Sequence, residues 1–133
     1  MAFSSTSAEV VFPFQDRDVA RMVSFGGSCN RCELSGRNLS GASFIGANFN
    51  SATLVGANLR GAELRGSNFA GSDFSRSDLR GAELTGGNFA GSRFVNASLS
   101  GAEATGTVFA SSDLSGANLS GAEMTGANLS NTN

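Results

Sequence analysis

From Cys32 to Asn131 an apolar residue returns at every fifth position, from Leu34, Leu39, Phe44 and Phe49 onward to Leu129. The twenty centres comprise eleven Leu, seven Phe, Met124 and one lapse, Ala104. Two residues before each centre stands a small residue, except at Arg37. Two residues after it stands Gly in fifteen of the twenty units; the exceptions are Ser51, Arg76, Asn96, Ser111 and Asn131. This spacing fits neither regular element. A helix carrying fifteen interior glycines would forfeit roughly 15 kcal/mol, at about 1 kcal/mol each. An uninterrupted strand would send alternate centres to opposite faces, because the period is odd. A short extended segment followed by a corner, repeated every five residues, points every centre inward. Gly serves the corner, and the small residue lets the backbone pack close to the axis.

A second period lies inside the first. Glu63, Glu83, Glu103 and Glu123 are twenty residues apart, as are Phe49, Phe69, Phe89 and Phe109, and also Leu39, Leu59, Leu79, Leu99 and Leu119. Twenty residues is four units, so four segments closing one coil would stack each column on its equivalent; drift through tandem duplication would leave the same echo. The expected fold is an all-β solenoid, a parallel β-helix of about five coils, roughly 24 Å long at the ~4.8 Å interstrand spacing.

The residues ahead of the repeat follow a different pattern. Met1 to Ala8 is Ser/Thr-rich and reads as a tail; Glu9 to Phe14 reads as an edge strand or extended docking segment, with Pro13 excluding a central strand. Asp16-Arg17-Asp18 followed by Val19, Met22 and Val23 predicts a short helix with Asp16 as N-cap and Gly26-Gly27 as the stop. Its apolar face is expected to cap the open end of the first coil, over Cys29 and Cys32. The chain thus divides into residues 1–26, comprising tail, extended segment and capping helix, and residues 27–133, the β-helix.

The beat of Ala47-Asn48-Phe49, Ala57-Asn58-Leu59 and Ala117-Asn118-Leu119 resembles the pentapeptide repeat family, over about 100 of the 133 residues. The resemblance implies a right-handed quadrilateral β-helix with the centre and the small residue inside. The lead-in from Cys29 to Gly36 is similar to bacterial members, in which a short helix precedes C-x-x-C and the first coil. Members of the family are functionally diverse, so the resemblance implies little about activity.

Charge narrows the functional classes. The chain carries nine Arg and no Lys against eleven carboxylates, a net charge of −2. That is too balanced for direct nucleic-acid binding. From Arg31 to Asn133 eight acids face seven Arg. A DNA-mimicking modulator of topoisomerase (gyrase), a role known in the family, would need about fourteen negatives along a 24 Å rod at one charge per ~1.7 Å. No apolar run approaches a signal peptide or membrane span, so a soluble, cytoplasmic protein is expected. With no His and no base beside a nucleophile, no enzyme and no cofactor are expected.

Cys29 and Cys32 could form a redox pair or half a metal site; zinc would lack further Cys or His ligands, and on the repeat frame both side chains point inward. Glu63, Glu83, Glu103 and Glu123 form a carboxylate column, with Arg65 on the same side and Arg60 and Arg80 on the preceding one. This is the candidate interaction surface, against the plainer reading of a solvated, partly paired face. The Asn columns are expected to hydrogen-bond along the rod. Thr85, Thr105 and Thr125 align too, but one column of three is too narrow for an ice-binding face. Ala104 with Val108 breaks the pattern and predicts either a cavity or compensation by Phe109 and Leu84. Arg37, at an inward position, is expected to meet the capping helix near Asp18.

The expected function is a non-catalytic structural or protein-interaction module with DNA mimicry as the alternative. Its C-terminal coil, with Met124, Ala127 and Leu129 uncovered, is expected to seat a partner chain or a second copy as a homodimer.

Overall fold

The computed structural model describes residues 28–133, together with the backbone of Val10–Val11. The expected capping helix, with Val19, Met22 and Val23, and the Asp18 contact of Arg37 lie outside the described residues. Arg37 itself is half-buried.

From Ser28 to Val108 each side of the solenoid pairs in parallel with the side twenty residues on. The pairs run from Ser28 with Asn48, through Asn58 with Asp78 and Glu83 with Glu103, to Val108 with Asn128. Three backbone hydrogen bonds tie each side to the next coil. Leu79 N–H donates to Ser98 O at 2.7 Å, Gly81 N–H to Ser100 O at 3.0 Å, and Ser98 N–H back to Ser77 O at 3.0 Å. The corner between sides is a four-residue turn closed by a bond such as Ala57 N–H to Leu54 O, 3.1 Å.

The corner demands a left-handed residue whatever the sequence supplies. All fifteen corner glycines have positive φ, and so do the five exceptions, Ser51, Arg76, Asn96, Ser111 and Asn131, at 54–59°. Arg31, one corner earlier, joins them at 61°. Positive φ at the third turn residue is the signature of a type II turn, which glycine adopts without a Cβ penalty. Arg76→Gly should therefore stabilise the protein by about 0.5–1 kcal/mol, the relief of left-handed strain less the added freedom of the unfolded chain. A urea midpoint that fell on this substitution would contradict the account.

The centres fill the axis. Leu34 to Phe109, including Ala104, are at most 1% exposed. Phe49, Phe69, Phe89 and Phe109 form one column, with Phe69 and Phe89 stacked at 5.7 Å and 2° between planes. Phe74 and Phe94 stack in the adjacent column at 4.9 Å. Rings of the two columns meet edge-on, as Phe74 and Phe89 do at 5.6 Å and 63°. Offset stacks and edge contacts are the arrangements that ring quadrupoles favour.

The small inward residues add a buried polar seam. Ser72, Ser92 and Ser112 hydroxyls donate to the carbonyls of Phe49, Phe69 and Phe89 in the coil below, at 3.0, 2.9 and 2.8 Å. Each hydroxyl is thereby satisfied despite full burial. At the irregular unit, Ala104 and Thr107 are both fully buried, while Val108 is half-exposed. Thr107 is bulkier than Ala47, Ser67, Gly87 and Ala127 of its own column, and its hydroxyl donates to Leu84 O at 2.7 Å. Extra volume therefore stands three residues after the lapse.

At the N-terminal edge, β1 (Val10–Val11) lies parallel on β2 (Cys32–Glu33), with Val10 opposite Cys32. Part of the expected extended segment is thus a strand on the edge of the first coil. Among the described residues no helix is long and apolar enough to cross a membrane.

Candidate interaction surfaces

Each side of the rod leaves one N–H, that of the residue after the centre, to neither neighbouring coil. Where Asn or Asp stands before the centre, its side chain accepts that N–H at every unit but Asn48. Ser75 N–H donates to Asp73 Oδ1 at 2.9 Å, Arg80 to Asp78 at 3.1 Å, Ala90 to Asn88 at 3.0 Å and Ser130 to Asn128 at 3.0 Å. Asn and Asp recur before the centre because their short side chains reach the backbone two residues on. Bonding between aligned amides along the rod is thereby confined to few places. The amide of Asn58 does donate to Asn38 Oδ1 at 3.3 Å, but the other Asn bonds shown in these columns are local. An exception occurs at Asn50, whose N–H reaches Asn30 Oδ1 at 3.2 Å and leaves Asn48 Oδ1 buried without a partner.

The face bearing Glu63, Glu83, Glu103 and Glu123 departs from this rule. The four residues are in register, each bridged to the next. Their carboxylates do not accept the local N–H, so these side chains remain available for other contacts. Arg65 ties the lower two together, at 3.3 Å to Glu63 and 3.1 Å to Glu83. Glu103 and Glu123 are exposed and make no ion pair among the described residues. The upper half of the face therefore carries unpaired negative charge beside Thr105 and Thr125.

Arg80 lies on the preceding face, as expected from the repeat frame. Its guanidinium grips Asp78 with two bonds, 2.9 and 2.7 Å. Arg60, in the same column as Arg80, makes no ion pair among the described residues. The bonds from the Arg80 side chain hold the Asp78 carboxyl below the usual carboxylate range against the opposing effect of burial, with the Arg80 N–H and the charges of Arg80 and Arg60 adding to them. Because the folded value is depressed, the stability from this pair is present above the unfolded Asp value of about 4 and is lost as pH falls through the folded value. Asp78→Asn should cost under about 1 kcal/mol at neutral pH, the ordinary worth of an exposed pair. The cost should shrink as pH falls below the unfolded Asp value and through the folded one, which urea titrations stepped from pH 7 into acid would measure.

Cys29 and Cys32 are 2% and 0% exposed, as expected of inward positions. The sequence left their pairing open; here they are joined in a disulfide, with Cα atoms 5.6 Å apart. The bond spans the corner at Arg31 and lies beneath β1. Among the described residues no three His, Cys, Asp or Glu side chains gather as a metal site.

The C-terminal end is open among the described residues. Leu119 and Leu129 are 36% and 43% exposed, whereas their column equivalents Leu99 and Phe109 are fully buried. Met124 and Ala127 are half-buried beside them.

A four-sided parallel β-helix with a five-residue beat, polar-capped sides and an unsealed end defines a solenoid. Residues 28–66, 57–94 and 92–131 match the pentapeptide repeats family, in eight copies. The chain belongs to the pentapeptide repeat family. Solved structures agree. Rfr23 from the cyanobacterium Cyanothece 51142 is 24% identical with a TM-score of 0.68, over 79% of this chain and 89% of that one. A pentapeptide repeat protein of the Arabidopsis thaliana thylakoid lumen is 28% identical with a TM-score of 0.61, over 85% and 72%. QnrB1, a plasmid-mediated fluoroquinolone resistance protein, is 20% identical with a TM-score of 0.53, over 93% and 70%. These neighbours imply the right-handed quadrilateral form of the β-helix. No curated protein matches the sequence.

Proposed function

We propose that this chain is a non-catalytic protein-interaction module, a rod of about five coils whose open end seats a partner chain or a second copy. The observation that carries the reading is the exposure of Leu119 and Leu129, residues whose equivalents elsewhere in the rod are core. Uncovered core positions beside unpaired strand edges favour association. The carboxylates of Glu103 and Glu123 form a second, weaker contact face for a basic partner surface.

Affinity capture from the native host, with the full chain and with Leu129→Asp as baits, tests the proposal. A partner retained by the first bait and lost from the second supports it; equal recovery on both baits sinks the end as the docking site. DNA mimicry is disfavoured by charge, since seven Arg offset eight acids along the repeat. A gyrase supercoiling assay altered by micromolar protein would reverse that judgement.

A further inference from the structure

A column of outward residues runs up the middle of each side of the rod. The column of Asn48, Asn68, Asn88, Val108 and Asn128 is uncharged. In the column from Asn38 to Asn118 the one charge, Asp78, is held by Arg80. Glu63, Glu83, Glu103 and Glu123 make a third column wholly acidic. The remaining column carries both signs, because Thr53, Asp73, Arg93 and Asp113 follow one another in register. Arg93 is the sole cation at the middle of any described side. It is exposed, and although an acid lies directly below and above it, it makes no ion pair among the described residues. Asp73 accepts the Ser75 N–H with Oδ1, which leaves Oδ2 for another partner.

We infer that this side pairs with the same side of a second copy, the two rods antiparallel, about a two-fold axis level with the gap between Asp73 and Arg93. The surface is separate from the open end, and the inference does not rest on that end. An axis lying in the plane of the side and across the rod keeps each column facing itself while reversing its order. Asp73 of one copy then faces Arg93 of the other, and Arg93 faces Asp73, so the contact is closed and isologous. One coil further out, Asp113 faces the hydroxyl of Thr53. Along one border Ala70 meets Ala90 and Gly71 meets Gly91, so no long side chain holds the surfaces apart there. On the other border Arg76 faces the amide of Asn96. Parallel rods would instead set Arg93 against Arg93, and the acidic side would set Glu against Glu in either direction; like charges across a contact are repulsive. The overlap is four coils at ~4.8 Å each, smaller than the ~800 Å² per partner of a standard interface. Pairing is therefore weak and sensitive to salt.

Sedimentation equilibrium of the full chain at about 1 mM, suited to a contact below standard size, tests the pairing. The unaltered chain should associate, and about 0.5 M salt should return it toward monomer. Asp73→Arg sets Arg against Arg and Arg93→Asp sets Asp against Asp, so each variant alone should associate at least about tenfold more weakly. An equimolar mixture of the two should recover the association, because one chain then brings both cations and the other both acids. No contact within a single chain predicts that rescue. Both variants should fold, as circular dichroism would show, since the rod already carries a column of stacked acids from Glu63 to Glu123. A monomer at about 1 mM for the unaltered chain overturns the inference. So does a mixture that stays monomeric with both variants folded. Leu129→Asp should leave the pairing intact. Association lost in Leu129→Asp but kept in Asp73→Arg would belong to the open end, overturning this inference while supporting the module reading.

Discussion

Phe89→Ala should cost about 3–5 kcal/mol of folding stability, the range for removing a buried aromatic ring. Phe89 is fully buried and touches four other rings. Phe69 and Phe109 stack on it at 5.7 and 5.8 Å, and Phe74 and Phe94 meet it edge-on at 5.6 and 5.7 Å. The hole cannot readily collapse, because the backbone around it is held on both sides, by Phe89 N–H to Val108 O and Asn88 N–H to Ser67 O. Phe89→Leu should cost far less, about 1 kcal/mol, since Leu is the centre in neighbouring columns and keeps most of the volume. Leu129→Ala, at a position 43% exposed, should cost under about 1 kcal/mol because little apolar area is withdrawn from water there. Urea unfolding reads all three. Equal midpoints for the alanine variants at 89 and 129 would refute a core graded from body to end.

The second large effect separates two adjacent glycines. Gly86 is a corner at φ +69° with open space around its missing Cβ. Gly87 occupies the small inward position, and a Cβ there would lie 2.7 Å from the Phe89 ring and 3.0 Å from Leu84 O. Gly86→Ala should therefore cost about 1 kcal/mol from left-handed strain alone. Gly87→Val should cost about 2–4 kcal/mol, because the backbone carbonyl cannot step aside and the ring must move within a filled column. Combining Gly87→Val with Phe89→Leu should recover part of that loss, since the ring is the first obstacle. The double variant, compared with both single ones in urea, measures the coupling. Additive effects would show that the Phe89 ring is not what excludes a side chain at 87.

Much of the architecture was legible because the repeat leaves one physical solution. A period of five with Gly at the corner excludes helix and strand, and the twenty-residue echo in Glu63, Glu83, Glu103 and Glu123 fits four sides per coil, which the pairing of each with the next bears out. The corner exceptions were legible as exceptions, but not their conformation. Arg76 and Ser111 adopt positive φ because the neighbouring coils hold the turn closed, a tertiary demand that overrides residue preference. Gly87 was hidden among the other glycines. Its signal was positional, since it falls two residues before a centre and not two after. The Asn columns were read as ladders because stacking was visible in the spacing, whereas the unpaired N–H two residues away was not.

The sequence by itself determined the inward set, the corner positions and the column membership of every outward residue, because a strict repeat equates chain position with place in the coil. Only the tertiary structure decided which outward groups remain available. Asp78 is taken up by Arg80, and Asn88 by a local N–H, while Glu103 and Glu123 stay unpaired among the described residues. A period can be counted along a chain, but whether an outward group is taken up depends on what lies across from it.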